Sequence, residues 1–168
     1  GRLDLMDAEH LAWHLSGGTT ELLLVRPKGR GITCECIGGT TDLAAGQLID
    51  RAGVLMGLQF PAGRELDELS GRSDSKDYFA PRVDGLRFSL SGVENKVRDY
   101  YSSAKSREDT AYFALRSVIS AIERATENAR ARYGNLPVLF SGGVASNRLL
   151  RSIVDGVYPE PLYARDNA

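Results

Sequence analysis

Two Gly-Gly turns near opposite ends of the chain constrain its fold most: Ser16-Gly17-Gly18-Thr19-Thr20 and Ser141-Gly142-Gly143-Val144-Ala145. The first lies between the apolar runs Leu11–Leu15 and Leu22–Val25. The second lies between Pro137–Phe140 and a segment of helical periodicity that starts near Asn147. A glycine pair at a strand end lets backbone N–H groups approach a ligand with no Cβ in the way. Where such a turn opens a helix, unpaired N–H groups and the positive end of the dipole also face an anion. Two such turns in one domain read as two walls of a nucleotide site. Taken singly, each has a plainer reading: hairpin glycines that supply positive φ, and Ser146 or Asn147 as a helix cap.

The pattern around these turns is mixed. Leu11–Leu15, Glu21–Val25 and Ile32–Ile37 read as short strands separated by glycine-rich turns, an antiparallel meander. Asp42 is placed to cap a helix over Leu43–Leu58, whose apolar residues Ala45, Leu48, Ile49, Ala52, Leu55 and Met56 recur at helical spacing. Pro61-Ala62-Gly63 breaks the chain before a short helix over Arg64–Leu69. Residues 70–87 read as a long loop, and Gly71–Gly85, with few apolar anchors, is expected to be the most mobile stretch. A helix is predicted from Ser91-Gly92, then the strongest one from Glu108 to Tyr133, ended by Gly134. Pro137–Phe140 reads as a strand, Asn147–Val157 as a helix and Leu162–Tyr163 as a strand. Strands first, then helices, then strand–helix–strand give an α/β lobe.

Few residues carry chemistry on their own. Asp50 suits ribose hydroxyls, because a carboxylate accepts two hydrogen bonds at once; a solvated Asp paired with Arg51 or Arg64 is the plainer reading. The Ser141–Asn147 stretch lacks the Lys-Ser/Thr of a Walker A loop and the spacing of a dinucleotide fingerprint. His10 and His14 form an H-x-x-x-H pair, but on a strand they stand about 13 Å apart, too far for one metal. Cys34 and Cys36 share a strand face and cannot easily bridge each other, and they read as two buried or half-buried thiols.

Composition narrows the class. The chain has 168 residues, 42% of them hydrophobic, and a formal net charge of −1. A domain of this size folds without disulfide or metal, and no global basic field draws it to nucleic acid or a membrane surface. There is no secretory signal and no apolar run long enough to span a bilayer, which points to a cytoplasmic protein with no membrane partner. The first residue is Gly1, and both ends read as boundaries of a longer chain.

Five stretches stand in a recognisable order: HLSGGTTELLLV, DLAAGQLIDRAGVLMGLQFPAG, RFSLSGV, LFSGGVASNR and the terminal RDNA. With them the chain resembles the family of tRNA threonylcarbamoyladenosine transferases, also called glycoproteases or O-sialoglycoprotein endopeptidases. The resemblance implies an actin/hexokinase/Hsp70-like ATPase fold, of which residues 1–168 would be the second lobe, with the first lobe outside this chain. It implies that Ser16, Gly17 and Gly18 lie by the phosphates of an adenine nucleotide, ATP or an acyl-adenylate. It further implies that Asp50 and Gly63 hold the ribose and that Gly143 and Asn147 contact the adenosine. Asp166 would be one ligand of a divalent metal, iron or zinc, in the full-length parent. The other ligands would belong to the first lobe, so this chain alone is expected to hold no metal and to show neither transferase nor peptidase activity. The implied partners are the missing lobe, tRNA and tRNA-modification proteins. Thr19 and Leu43 stand where the family usually has His and a second acidic residue, and the family usually has Lys near Glu94. They point to a paralogue, with a non-catalytic nucleotide-binding or partner-organising protein as the alternative, and a metallopeptidase or small-molecule kinase behind it.

Overall fold

A computed structural model describes residues 7–157 and the backbone of Leu162–Tyr163. The chain runs β1 (His10–Leu15), β2 (Thr20–Lys28), β3 (Gly31–Thr40), α1 (Ala45–Leu55), α2 (Gly63–Ser70), β4 (Val83–Asp84), β5 (Arg87–Phe88), α3 (Ser91–Ser102), α4 (Arg107–Tyr133), β6 (Val138–Ser141), a 3-10 turn (Gly143–Ser146), α5 (Arg148–Val157) and β7 (Leu162–Tyr163). The strands make one mixed sheet in the order β4-β5-β3-β2-β1-β6-β7. The expected meander is present, since β1 pairs antiparallel with β2 and β2 with β3. Joined to it, β6 runs parallel to β1, with His14 opposite Ser141.

The core follows from strand alternation and helix periodicity. Leu11, Trp13 and Leu15 of β1 and Leu22 and Leu24 of β2 point to one face and are fully or almost fully buried. They pack with Leu48 and Ile49 of α1 and with the long α4, whose buried stripe includes Ala111, Leu115, Val118, Ile122 and Ala125. The indole N–H of Trp13 donates to Thr126 Oγ1 at 2.8 Å, so the one polar atom of the largest core side chain is satisfied inside α4. Ser106 caps α4 by accepting from the Asp109 N–H, and Gly134 (φ 97°) closes it. No helix among the described residues is long and apolar enough to cross a membrane.

Several expectations need correction. Asp42 does not cap α1: that helix starts two residues after Leu43, behind Ala44, with no side-chain cap. Asp42 instead reaches across to residues 89–91 and accepts from the Leu90 N–H at 2.9 Å and from the hydroxyls of Ser89 (2.6 Å) and Ser91 (2.7 Å). Partial burial works against its charge, but the Ser89 and Ser91 hydroxyls and the Leu43 and Leu90 N–H groups outweigh it. Together they hold the carboxyl well below the usual carboxylate range. Cys34 and Cys36 are exposed, not buried, because β3 pairs with β5 only at Gly39–Thr40 and its first half lies at the sheet edge. Residues 70–87 are not a bare loop. They contain β4 and the first residue of β5, and the stretch before these is tied to α3 and α4. Ser73 Oγ donates to Asp109 (2.6 Å), the Phe79 N–H to Ser117 Oγ (2.9 Å) and Tyr100 Oη to Asp77 (2.9 Å). These ties are polar, so hydropathy did not show them; Phe79, Val83 and Leu86 also pack into or against the core.

Candidate functional site

The parallel pairing of β1 with β6 brings the two Gly-Gly turns side by side. Gly142 has φ 90°, and a Cβ there would press into the backbone of Leu15. Only glycine lets the end of β6 lie this close to the end of β1. A second close approach fixes α1. Gly46 donates its N–H to Ser16 O at 3.1 Å, and an added Cβ would stand 2.6 Å from that same oxygen. Ala45 N–H donates to Thr20 Oγ1 at 2.7 Å. The start of α1 is therefore packed under the first turn, and its leading N–H groups are used within the protein.

Above these contacts lies a cleft of about 580 Å³, lined by Gly17, Gly46, Asp50, Pro61, Gly63, Arg64, Asp67, Gly143, Val144, Ser146, Asn147 and Arg148 among others. Five of the residues singled out from sequence meet here: Gly17, Asp50, Gly63, Gly143 and Asn147. They come from four separate stretches of the chain. Ser16 and Gly18 are not in the lining. Ser16 Oγ organises the turn beneath it, accepting from the N–H groups of Thr19 (3.0 Å) and Gly18 (3.4 Å). Asp166 lies outside the described residues. His10 and His14 are on β1, the first buried and the second exposed. No group of three or more His, Cys, Asp or Glu that could hold a metal occurs among the described residues.

The cleft has a distinctive set of uncommitted groups. The N–H groups of Gly17 and Gly143 donate to nothing among the described residues. A Cβ at either glycine would meet no protein atom within 4 Å, and neither has a positive φ. The fold itself does not require glycine at these two positions, but a ligand brought against the backbone would. Asp50 Oδ1 accepts from the Ala62 N–H at 2.8 Å, which ties α1 to the start of α2. Its other oxygen has no partner among the described residues. The pairing with Arg51 or Arg64 does not occur, because Arg51 pairs with Glu94 (3.1 Å) and Arg64 with Glu68 (3.3 Å).

Asn147 is buried and does cap α5, accepting from the Leu150 N–H at 3.0 Å. Its amide nitrogen has no partner among the described residues, so the cap and a ligand contact are compatible in one side chain. The Asp67 carboxylate takes the Arg148 N–H through both oxygens at 3.2 Å. The start of α5 thus already holds an anion of the protein's own, and the dipole expected to face a phosphate is occupied by Asp67. Sequence reasoning missed Asp67. Its spacing from the cleft residues is unremarkable, and only the fold carries α2 against α5.

The family model described as TsaD, tRNA N6-adenosine threonylcarbamoyltransferase, matches residues 3–168. The chain belongs to this family. Curated relatives agree: the tRNA N6-adenosine threonylcarbamoyltransferase of Oenococcus oeni is 34% identical over 158 residues, 89% of this chain and 46% of the relative. That of Streptococcus thermophilus is 35% identical over 176 residues, 94% of this chain and 51% of the relative. The chain spans about half the length of the relatives it matches.

Among solved structures, full-length HypF in a phosphate- and nucleotide-bound form superposes with a TM-score of 0.74 at 14% identity, covering 89% of this chain and 35% of HypF. The activator of 2-hydroxyisocaproyl-CoA dehydratase from Clostridium difficile with bound ADPNP gives a TM-score of 0.59 at 16% identity, covering 92% of this chain and 53% of the activator. The fold is α/β, a mixed sheet with packed helices, as expected from the sequence, and HypF and the dehydratase activator share it.

Proposed function

We propose that this chain is the nucleotide-holding lobe of a protein that transfers a threonylcarbamoyl group from its adenylate to an adenosine of tRNA. One observation carries the reading: Gly17, Asp50, Gly63, Gly143 and Asn147 line a single cleft, with two backbone donors, one carboxylate oxygen and one amide nitrogen left uncommitted. The Gly17 and Gly143 N–H groups suit phosphate oxygens, which accept hydrogen bonds from bare backbone without needing a cation. The free Asp50 oxygen suits a ribose hydroxyl, and the Asn147 amide suits the adenosine.

In the transfer, the acceptor's exocyclic amine would form a bond to the carbamoyl carbon while the bond from that carbon to the phosphate oxygen breaks. AMP leaves with the electron pair and the amine loses a proton. The lobe's contribution is to orient the adenylate and to stabilise charge on the departing phosphate. The described residues do not assemble a metal site.

A second reading, a paralogue that binds nucleotide without the transfer, is favoured by the residues that depart from the family pattern. Leu43, where an acidic residue is usual, is buried in the core. Glu94, near which Lys is usual, is engaged by Arg51 and Arg98. Calorimetric titration of the chain with ATP and ADP tests what both readings share. Saturable binding that Asn147→Ala weakens supports it, and no binding at millimolar nucleotide overturns it. Transfer of labelled threonylcarbamoyl to tRNA by the parent protein then separates the two.

A further inference from the structure

Strand β3 leaves half its length without an outer neighbour. It pairs with β2 from Gly31 to Gly39 but with β5 only at Gly39 and Thr40, so no strand lies outside Gly31–Cys36 among the described residues. The register decides which backbone groups this edge presents. The two-residue turn Gly29-Arg30, with Gly29 at φ 60°, closes on the pair Lys28–Gly31, and pairs that exchange both hydrogen bonds alternate from there. Gly31, Thr33 and Glu35 therefore bond to β2, and the N–H and C=O groups of Ile32, Cys34 and Cys36 point outward. Beyond the bulge opposite Leu22 and Leu23 the alternation resets, and Gly39 turns its N–H outward to Leu86 O at 2.9 Å. The open stretch is poorly guarded against a further strand. It has no proline, and its one charge, Glu35, is held by Arg26 at 3.2 Å. Ile32 is 45% exposed, and both cysteines are exposed.

Cations stand at both ends of this edge. Lys28 and Arg30 are at the turn, and Arg87, opposite Gly39, begins β5 where an added strand would stop. All three are exposed, and none has an ion-pair or ring partner among the described residues. From this geometry we infer that the open edge of β3 accepts an extended acidic segment of another protein as an additional strand. Its apolar side chains lie beside Ile32, Cys34 and Cys36, and its terminal carboxylates reach Arg30 and Arg87. Strand addition draws affinity from main-chain hydrogen bonds, and the flanking charges select the partner. A second copy of this chain is a poorer occupant. Antiparallel self-pairing about Cys34 would set Gly29 of one copy opposite Gly39 of the other. Arg30 of each copy would then approach Arg87 of the other, a meeting of like charges. None of these residues lines the nucleotide cleft, so this surface does not depend on the proposed function.

The test uses this chain under reducing conditions and a capped peptide of alternating valine and threonine with two glutamates at each end. The same peptide with lysines in place of the glutamates is the control. The glutamate peptide should slow amide exchange at Ile32, Cys34 and Cys36 by about tenfold or more, and at Thr33 and Glu35 less, because those are already bonded to β2. Cys34→Pro removes an outward N–H without taking a bond from the β2 ladder, and should weaken the peptide by about tenfold. Arg30→Glu combined with Arg87→Glu changes only exposed charges and should reverse the preference, so that the lysine peptide binds more tightly. No saturable binding of the glutamate peptide at millimolar concentration overturns the inference. Equal affinity for the two peptides, or protection confined to residues outside β3, overturns it too. So does protection of Ile32, Cys34 and Cys36 that rises with chain concentration in the absence of peptide, since the occupant is then a second copy. If Cys34→Pro shows no cooperative transition in urea, the charge-reversed variant decides alone, and an unchanged preference there overturns the inference.

Discussion

Two sets of glycines in this chain look alike in sequence and differ in what requires them. At Gly142 and Gly46 an added Cβ runs into backbone, of Leu15 and of Ser16 respectively. At Gly17 and Gly143 it would meet only open space inside the cleft, with no positive φ to explain the residue. The first pair is demanded by the packing of β6 and α1 against the end of β1. The second pair is demanded by nothing in the protein, and that directs attention to a ligand. Adjacent residues of one motif, Gly142 and Gly143, fall on opposite sides of this division. The same contrast separates two carboxylates: Asp42 is consumed by internal donors, whereas Asp50 keeps one oxygen uncommitted.

The contrast can be broken most directly at Gly142. Gly142→Ala combines an unfavourable φ with a backbone clash and should cost about 4 kcal/mol, read as loss of the cooperative transition in urea. A stable, native-like variant would show that the β1–β6 junction is not what fixes the site. Gly46→Ala should cost about 2 kcal/mol, since relief of the contact with Ser16 O requires α1 to shift while alanine improves helix propensity.

Asn147→Ala separates two roles in one side chain. Loss of the α5 cap should lower stability by about 1 kcal/mol, and loss of a desolvated amide contact should weaken ADP binding by roughly 1–3 kcal/mol. A stability loss with unchanged affinity would leave Asn147 a cap alone. Gly17→Ala should leave urea stability within about 0.5 kcal/mol while weakening nucleotide binding about tenfold by displacing the phosphate from the backbone. If its stability falls as far as that of Gly46→Ala, the distinction between the two sets fails.

The smallest effect concerns Asp42. Its folded pKa lies below its unfolded value, so its contribution is complete above about pH 4 and is lost as pH falls through the folded value. The wild-type melting temperature should therefore decline below about pH 4 more steeply than that of Asp42→Asn. Parallel profiles would show that Asp42 is not the internally committed carboxylate described here.

Much of this was legible in the residues. The meander, the helices from Ala45, Ser91 and Arg107, and the strand at Val138 follow from local periodicity, caps and breakers, which neighbours within a few residues decide. The five motif stretches, taken in order, marked the family and pointed to Gly17, Asp50, Gly63, Gly143 and Asn147 before any contact was known. Local pattern also misled where a polar side chain had several possible partners. Asp42 precedes a helix at capping distance, yet it satisfies donors near Leu90, because the chain brings that loop within hydrogen-bond range. The polar ties of Ser73 and Phe79 to α4 were invisible for the same reason.

What the sequence determined by itself is therefore local: which segments are strands or helices, where they stop, and which motif residues are held in common with a family. Tertiary structure alone decided that β6 lies parallel beside β1, that Asp67 fills the start of α5, and that in the second turn Gly142 meets the backbone of Leu15 while Gly143 faces open space. The physical reason is that hydrogen bonds and close approaches between segments far apart in the chain depend on register and packing. A turn's composition states that backbone can come close to something; only the fold decides whether that something is the protein or a ligand.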